Sequence, residues 1–421
     1  MILPWTLARL FALPSSLNSI SEDRLFLPIP TTRRKPKRFL SMSQQQQDQP
    51  VTFHIVGDAY VDFFCFLGGE WPENGGDSRL EQPVKTYAGG SSTNTATHLK
   101  NLVTNFTNGD HLPPEVVLHT VLNPDDHYGK TLLKHAQDHN FPLVNCRNPK
   151  DTSWTGHCVA IVSGGERSFM THQGCVERFR ASDLGIDKII ETPSDIHVHV
   201  AGYFTVDGYH DGDLRDQLVR LRQGRTRSSW TTTVSLVTQH DASKKWDGGL
   251  DEVIPYLDFL IMNELEAERI WQRGRRQQNQ STVPSSDPVQ DWMSFFSPIN
   301  PQACFIVTLG AEGAVAFRNG KVLATLRPAI SVKCVDPTGA GDSFTAGFLH
   351  GLWAWKRATG NSHAEEWTPE ALGDALLWGC AVGTAAVQVR GASNPADPAI
   401  INDLLARQQE KHAVECKSCE S

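Results

Sequence analysis

The 421-residue sequence lacks several features that would settle its class at once. No apolar run approaches the roughly 20 residues of a membrane-spanning helix, which argues against a helical span. There is no basic surplus: 39 Lys and Arg stand against 47 Asp and Glu, a net charge of −8. A chain so charged carries no electrostatic footprint for nucleic acid. There is no cysteine framework either. The nine cysteines, at 65, 146, 158, 175, 304, 334, 380, 416 and 419, are odd in number and scattered, which suits a reducing compartment. Cys416 and Cys419 form an isolated pair on a polar tail (411–421) and read as neither a metal nor a redox site. No Gly-x-Gly-x-x-Gly follows the first predicted strand, against a dinucleotide-binding fold. What is present is a 39% hydrophobic content with 33 Gly and 24 Pro, in a chain long enough to bury a large core.

The first 50 residues stand apart. Met1 to Asn18 contains no acid and carries Leu, Phe and Trp around Arg9; a basic run, Arg33 to Arg38, and four glutamines, Gln44 to Gln47, follow. This reads as a mitochondrial or plastid targeting peptide or as a disordered extension, with Met42 an alternative start. Without targeting, the expected location is cytoplasmic.

From Val51 onward buried strands alternate with helical patterns. Thr52–Gly57, Val116–Leu122, Ile196–Ala201, Thr231–Val237, Phe259–Met262 and Phe305–Thr308 read as strands; 128–138, 211–223 and 263–272 read as helices. That order predicts a mainly parallel sheet covered by helices on both faces, a three-layer α/β/α fold spanning 51–410. Two stretches, about 62–86 and 154–172, read as extra strands outside this alternation. The Gln-, Arg-, Ser- and Pro-rich stretch 272–291 reads as a surface insertion, and 361–369 as a loop.

The most informative stretch is Asp336-Pro-Thr-Gly-Ala-Gly-Asp342-Ser-Phe-Thr-Ala-Gly-Phe348. Gly339, Ala340 and Gly341 carry almost no side chain, so three successive backbone N–H groups can close on a ligand. Phe344, Phe348, Leu349 and Leu352 then recur at helical spacing. A helix start offers unpaired donors and partial positive charge, hence an anion site, most naturally for phosphate. Asp342 at that start is costly unless it takes a proton. Roughly 250 residues upstream, Tyr87-Ala-Gly-Gly-Ser-Ser-Thr-Asn94 offers a second glycine turn. Gly89 and Gly90 permit close approach, Ser92 or Thr93 can cap the following helix, and the Asn94 amide can bind a hydroxylated ligand.

Together these segments resemble the ribokinase-like, or PfkB, family of carbohydrate kinases. Asn263-Glu-Leu-Glu266, Val307-Thr-Leu-Gly-Ala-Glu-Gly313 and Gly57-Asp-Ala-Tyr-Val-Asp62 resemble its other motifs and occur in the family's order. The resemblance implies a small β-lid over the substrate and ATP-dependent transfer of the γ-phosphate to a sugar hydroxyl. Asp342 would be the general base, with Gly339, Ala340 and Gly341 stabilising the phosphoryl oxygens. Asp58, Gly89, Gly90 and Asn94 would hold the sugar. Asn263, Thr308, Gly310, Gly313 and Gly391 would flank the nucleotide. Glu266 would orient Mg²⁺ through water, and Asp336 would neighbour a K⁺ ion. Relatives often pair lids into homodimers.

Ribokinases proper usually carry Lys after the glycine pair; Ser91 here is closer to fructokinase-like members. Strand Val234–Val237 lacks the acid common at its end in relatives, the nearest being Asp241. An adenosine-type nucleoside kinase ranks below a sugar kinase, because the opening strand shows no distinctive nucleoside-kinase signature. A non-catalytic binding or regulatory relative is the remaining alternative, and the intact Asp342, Asn263 and Glu266 weigh against it.

Overall fold

The computed structural model describes residues 50–419 apart from 70, 108–111, 164–165, 227–229, 329 and 360–366. The expected targeting segment and most of the 361–369 loop lie outside the described residues. Strand β1 (Val51–Val56) runs into β2 (Tyr60–Phe66), and β3 (Lys85–Gly89) leads to α1 (Ser91–Phe106). Then come β4 (Glu115–Thr120), α2 (His127–Asp138), β5 (Leu143–Asn145) and the hairpin β6 (His157–Ser163) and β7 (Glu166–His172). Next are α3 (Ile186–Ile190), β8 (Asp195–Val200), α4 (Asp213–Arg225), β9 (Thr232–Val237), α5 (Leu250–Val253) and β10 (Phe259–Asn263). They are followed by α6 (Glu264–Gln277), α7 (Pro288–Phe296), β11 (Cys304–Thr308), β12 (Ala314–Arg318) and β13 (Lys321–Leu326). The chain closes with α8 (Ala340–Thr359), α9 (Pro369–Ala386) and α10 (Pro398–Cys419).

A nine-stranded sheet is ordered β13-β12-β11-β10-β9-β8-β1-β4-β5. It is parallel except at β11–β12 and β12–β13. Because side chains alternate along a strand, each central strand feeds two cores. Phe259 and Ile261 pack toward α1, α8, α9 and α10, whereas Leu260 and Met262 pack toward α4, α5, α6 and α7. Each such side chain contributes about 1.5–3 kcal/mol when fully buried. The three layers expected from the alternation are the layers observed.

A second sheet, ordered β3-β2-β6-β7, accounts for the two stretches outside the alternation. Strand β2 joins β6 in parallel, and β3 and β7 flank them antiparallel. The expected insertion at 272–291 is shorter than the composition suggested. Its first residues extend α6, because Trp271 and Gly274 pack inward and the ring of Phe295 closes on Gly274. Its last residues start α7, capped by Asp287. The expected polar tail continues α10 to Cys419.

A polar seam crosses the large sheet. His54 Nδ1 and His119 Nε2 share a hydrogen bond of 3.0 Å, and His197 and His199 both bond the Ser235 hydroxyl at 2.7 Å. All four rings are buried, and burial lowers each proton affinity, to about 3 for His54 and His199 and about 4 for His119.

Candidate active site

Parallel strands end together, so loops after β1, β9, β10 and β11 gather at one edge of the sheet. The N-termini of α1 and α8 enter the same edge. Helix α1 starts at Gly90, whose φ of 90° only glycine adopts cheaply; a Cβ there would lie 2.6 Å from the Asp58 carbonyl oxygen. No side chain caps α1. Ser92, expected as a cap, instead donates to the Asp58 carbonyl at 2.6 Å. The first turn of α1 is directed at Asp342. Ser91 Oγ donates to Asp342 Oδ1 at 2.7 Å, and Asn94 Nδ2 donates to Oδ2 at 2.8 Å. Gln239, beyond the end of β9 with φ 62°, adds a third donor to Oδ1 at 3.0 Å.

Asp342 is buried in the first turn of α8. Burial raises its proton affinity to about 6, against the three donors. Just before it, Ala340 N–H bonds the Pro337 carbonyl at 3.3 Å, which removes one of the three expected phosphate donors. The N–H groups of Gly339 and Gly341 make no hydrogen bond among the described residues. Gly339 has φ 76°, and a Cβ on it would meet Ala392 at 2.7 Å. The loop at 390–394 is thereby fixed against this turn. Asp336 accepts from Thr338 N–H at 2.9 Å and Gly391 N–H at 3.0 Å. His98 Nε2 lies 2.9 Å from both Ala392 O and Ser343 Oγ, tying the loop to α1 and α8.

The expected nucleotide-side residues cluster at neighbouring strand ends, where the register pairs Asn263 with Thr308. Asn263 caps α6: its Oδ1 accepts from Glu266 N–H at 2.9 Å while its own N–H donates to Glu266 Oε2 at 3.1 Å. Glu266 also accepts from Asn263 Nδ2 and from Thr238 Oγ1, both at 2.7 Å. Both of its oxygens are therefore engaged, a set that suits a hydrated cation rather than direct ligation. Burial raises Glu266 to about 7. Gly313 shapes the adjoining turn, since a Cβ there would strike Leu326 O at 1.9 Å, whereas Gly310 leaves open space.

A family model described as pfkB family carbohydrate kinase matches residues 55–399. The chain belongs to this family.

Its sequence relatives include adenosine kinases. The Saccharomyces cerevisiae enzyme is 28% identical over 199 residues, 47% of this chain and 55% of that protein. The match thus spans about half the length of that relative. The Schizosaccharomyces pombe enzyme is 24% identical over 281 residues, 65% of this chain and 75% of that protein. In fold, the chain is similar to a ribokinase from Giardia lamblia, with a TM-score of 0.64 at 15% identity, covering 85% of this chain and 99% of that one.

PfkB kinases are phosphotransferases, and the acids of this member are arranged unevenly. Asp58 is fully buried, with the N–H groups of Ser91 and Ser92 facing its carboxylate and Oδ1 left without a partner. Burial, then the charge of Asp342, raises it to about 7. Asp62, on β2, lies over Gly89, where a Cβ would sit 2.1 Å from its Oδ2. Burial and then Asp58, Asp342 and Asp336 raise it to about 7 as well. Asp62 stood inside the opening motif without an assigned role, and its signal is a lone acid in an apolar strand. Gln239 and Thr238 carried no signal, because their contacts exist only once β9 lies beside α6 and α8. Asp241, the acid nearest the end of β9, closes its own loop by accepting from Ser243 and Trp246 N–H.

Proposed function

We propose that this chain transfers the γ-phosphoryl group of ATP to a hydroxyl of a small sugar, with Asp342 as general base. The observation that carries the reading is the environment of Asp342: a buried carboxylate at a helix start, oriented by three donors, with a proton affinity near 6. A base of that strength is largely ionised at neutral pH yet still accepts a proton from an attacking hydroxyl. Asp342 Oδ2 bears one donor and Oδ1 bears two, so Oδ2 is the oxygen with room for that proton. The Gly339 and Gly341 N–H groups and the dipole of α8 would stabilise the transferring phosphoryl group. Asp62 and Asn94, whose Oδ1 has no partner, would accept hydroxyls of the acceptor, while Asp58 holds the start of α1. Asn263, Thr308, Gly310, Gly313 and Gly391 would line the nucleotide side. Mg²⁺, when bound, screens the phosphate charge; Glu266 and Asn263 would hold its waters. A K⁺ ion would lie beside Asp336.

A nucleoside acceptor is the second reading, favoured by the adenosine kinases among the sequence relatives. The test is ADP release with Mg-ATP and K⁺ over ribose, fructose, other ketoses and adenosine. Turnover with a sugar supports the first reading, and turnover with adenosine alone replaces it with the second. ATP binding without any turnover would overturn both. Self-association through the small sheet belongs to the same proposal. Its edge strand β7 exposes Phe169 and Met170, and Trp154 is exposed nearby in sequence. Sedimentation should give a dimer that Phe169→Arg converts to monomer.

A further inference from the structure

Helix α1 carries a polar stripe with two targets. Ser91, Asn94 and His98 stand three and four residues apart, so their side chains leave the same face of the helix. The first two bond Asp342. His98 is 2% exposed and reaches the next residue of α8 and the loop at 390–394. Its Nε2 lies 2.9 Å from Ser343 Oγ and 2.9 Å from the Ala392 carbonyl oxygen. A carbonyl can only accept, so Nε2 bears the proton. The Ser343 hydroxyl gives its own hydrogen to the Gly339 carbonyl at 2.8 Å and accepts from the ring. Burial lowers the proton affinity of His98 to about 4, so the ring is neutral at pH 7. One N–H is thus shared between a loop carbonyl and a hydroxyl bonded to the glycine turn.

We infer that His98 is a positioning residue for the nucleotide: its Nε2–H seats the 390–394 loop against the glycine turn at the start of α8. This rests on the nucleotide side of the kinase reading and extends it to a residue behind the turn. The seat is close. A Cβ on Gly339, which holds φ 76°, would lie 2.7 Å from Ala392 Cβ. The loop consists of turns and bends, and hydrogen bonds fasten it in three directions. Gly391 N–H donates to Asp336 at 3.0 Å, Ser393 Oγ donates to the Ala88 carbonyl at 2.6 Å, and Ala392 O accepts from His98. The first ties the loop to the approach of the turn, the second to the small sheet, and the third to α1 and α8 at once. Buried Leu99 and Leu102 anchor α1 in the core, whereas Ala392 is the loop's sole apolar side chain. Loss of the His98 bond therefore frees the loop before it frees α1. The nucleotide feels the change, and an acceptor held by Asn94 does not.

The experiment sets His98→Gln against His98→Leu in the full chain. The Gln amide presents its N–H groups about as far from the backbone as imidazole Nε2, whereas Leu fills the space and donates nothing. Calorimetric titration with ADP and Mg²⁺ is read beside the KM for ATP and the KM for whichever of ribose, fructose or adenosine is phosphorylated. His98→Leu should weaken ADP binding and raise the KM for ATP about 10-fold, the scale on which a displaced positioning group acts, while the acceptor KM holds. His98→Gln should restore most of that loss. A folded Leu variant that binds ADP like the parent chain, an equal rise in both KM values, or a Gln variant no better than Leu would overturn the inference and leave the kinase reading standing. If nothing is phosphorylated, the kinase reading fails, and the ADP titration alone decides. Weaker binding to the Leu variant than to the Gln variant supports the inference; equal binding, or no binding by the parent chain, overturns it. Should the Leu variant not fold, His98→Asn, whose amide reaches only as far as Nδ1, takes its place. If neither folds, His98 serves the fold and the inference is overturned.

Discussion

At the scale of single residues, the proposed chemistry rests on one carboxylate and the groups that orient it. Asp342→Asn should lower ADP release about 10²- to 10⁴-fold, the usual worth of a general base. Thermal unfolding of that variant should hold or rise, because a buried charge is removed while Ser91 and Gln239 keep an oxygen to bond and Asn94 can turn its unpartnered Oδ1 toward the new amide N–H. A collapse of the fold instead would move Asp342 from catalysis to structure. Its raised affinity, near 6, also sets a pH dependence. A general base must be ionised to act, so on the proposed mechanism kcat/KM should fall as pH drops through about 6. Asp58 and Asp342 repel each other when both are charged. Asp58 is raised higher than Asp342, to about 7, so it is largely neutral where Asp342 ionises, and Asp58→Asn should leave the acid limb of the profile in place. A limb that moves to lower pH would mean that Asp58 is charged beside Asp342.

At the scale of elements, the site depends on how closely two helices are seated. Asp342 rides on α8, and glycines on α8 let it lie close against α9. A Cβ at Gly347 would lie 2.5 Å from the Trp378 carbonyl oxygen, and one at Gly351 would lie 2.8 Å from Ala375 Cα. Gly347→Ala should destabilise the chain by about 1–3 kcal/mol, the cost of overpacking a close contact. It should also depress kcat, since the displaced helix carries Asp342, the proposed base, away from Ser91 and Asn94. Denaturant unfolding and ADP release measured on one preparation test both effects; loss of stability with unaltered kcat would show that the base is positioned by α1 alone. Helix α1 is the converse case. It has no cap of its own and takes its seat from Gly90 and the loop carrying Asp58.

At the scale of the whole molecule, two sets of buried groups pull stability in opposite directions with pH. His54, His119 and His199 have folded values of about 3 to 4, below the 6.5 of an unfolded chain. The unfolded state then binds protons the folded state refuses, so these rings cost stability progressively as pH falls below about 6.5. Asp58, Asp62 and Glu266, raised to about 7, contribute relative stability at low pH that is lost as pH rises through 7. Asp62→Asn should accordingly raise Tm at pH 8 and leave it nearly unchanged at pH 4, as read by scanning calorimetry without ligand. An equal gain at both pH values would mean that packing, not charge, is responsible. The same balance separates what was legible in the sequence from what was not. Strand positions, the three layers, the helix beginning near Gly341 and the family were readable, because they rest on local periodicity and on short motifs that each carry their own chemistry. The extent of α6 was misread, because polar composition hid the inward packing of Trp271 and Gly274. The partners of Asp342 come from residues 91, 94 and 239, joined only when parallel strands bring their ends to one edge. Sequence alone determined that Asp342 and the glycine turn share a helix start. Tertiary structure alone decided that Gln239 faces Asp342 and that Asp58, Asp62 and Glu266 come within reach of its charge, because burial and long-range charge are properties of the packed chain.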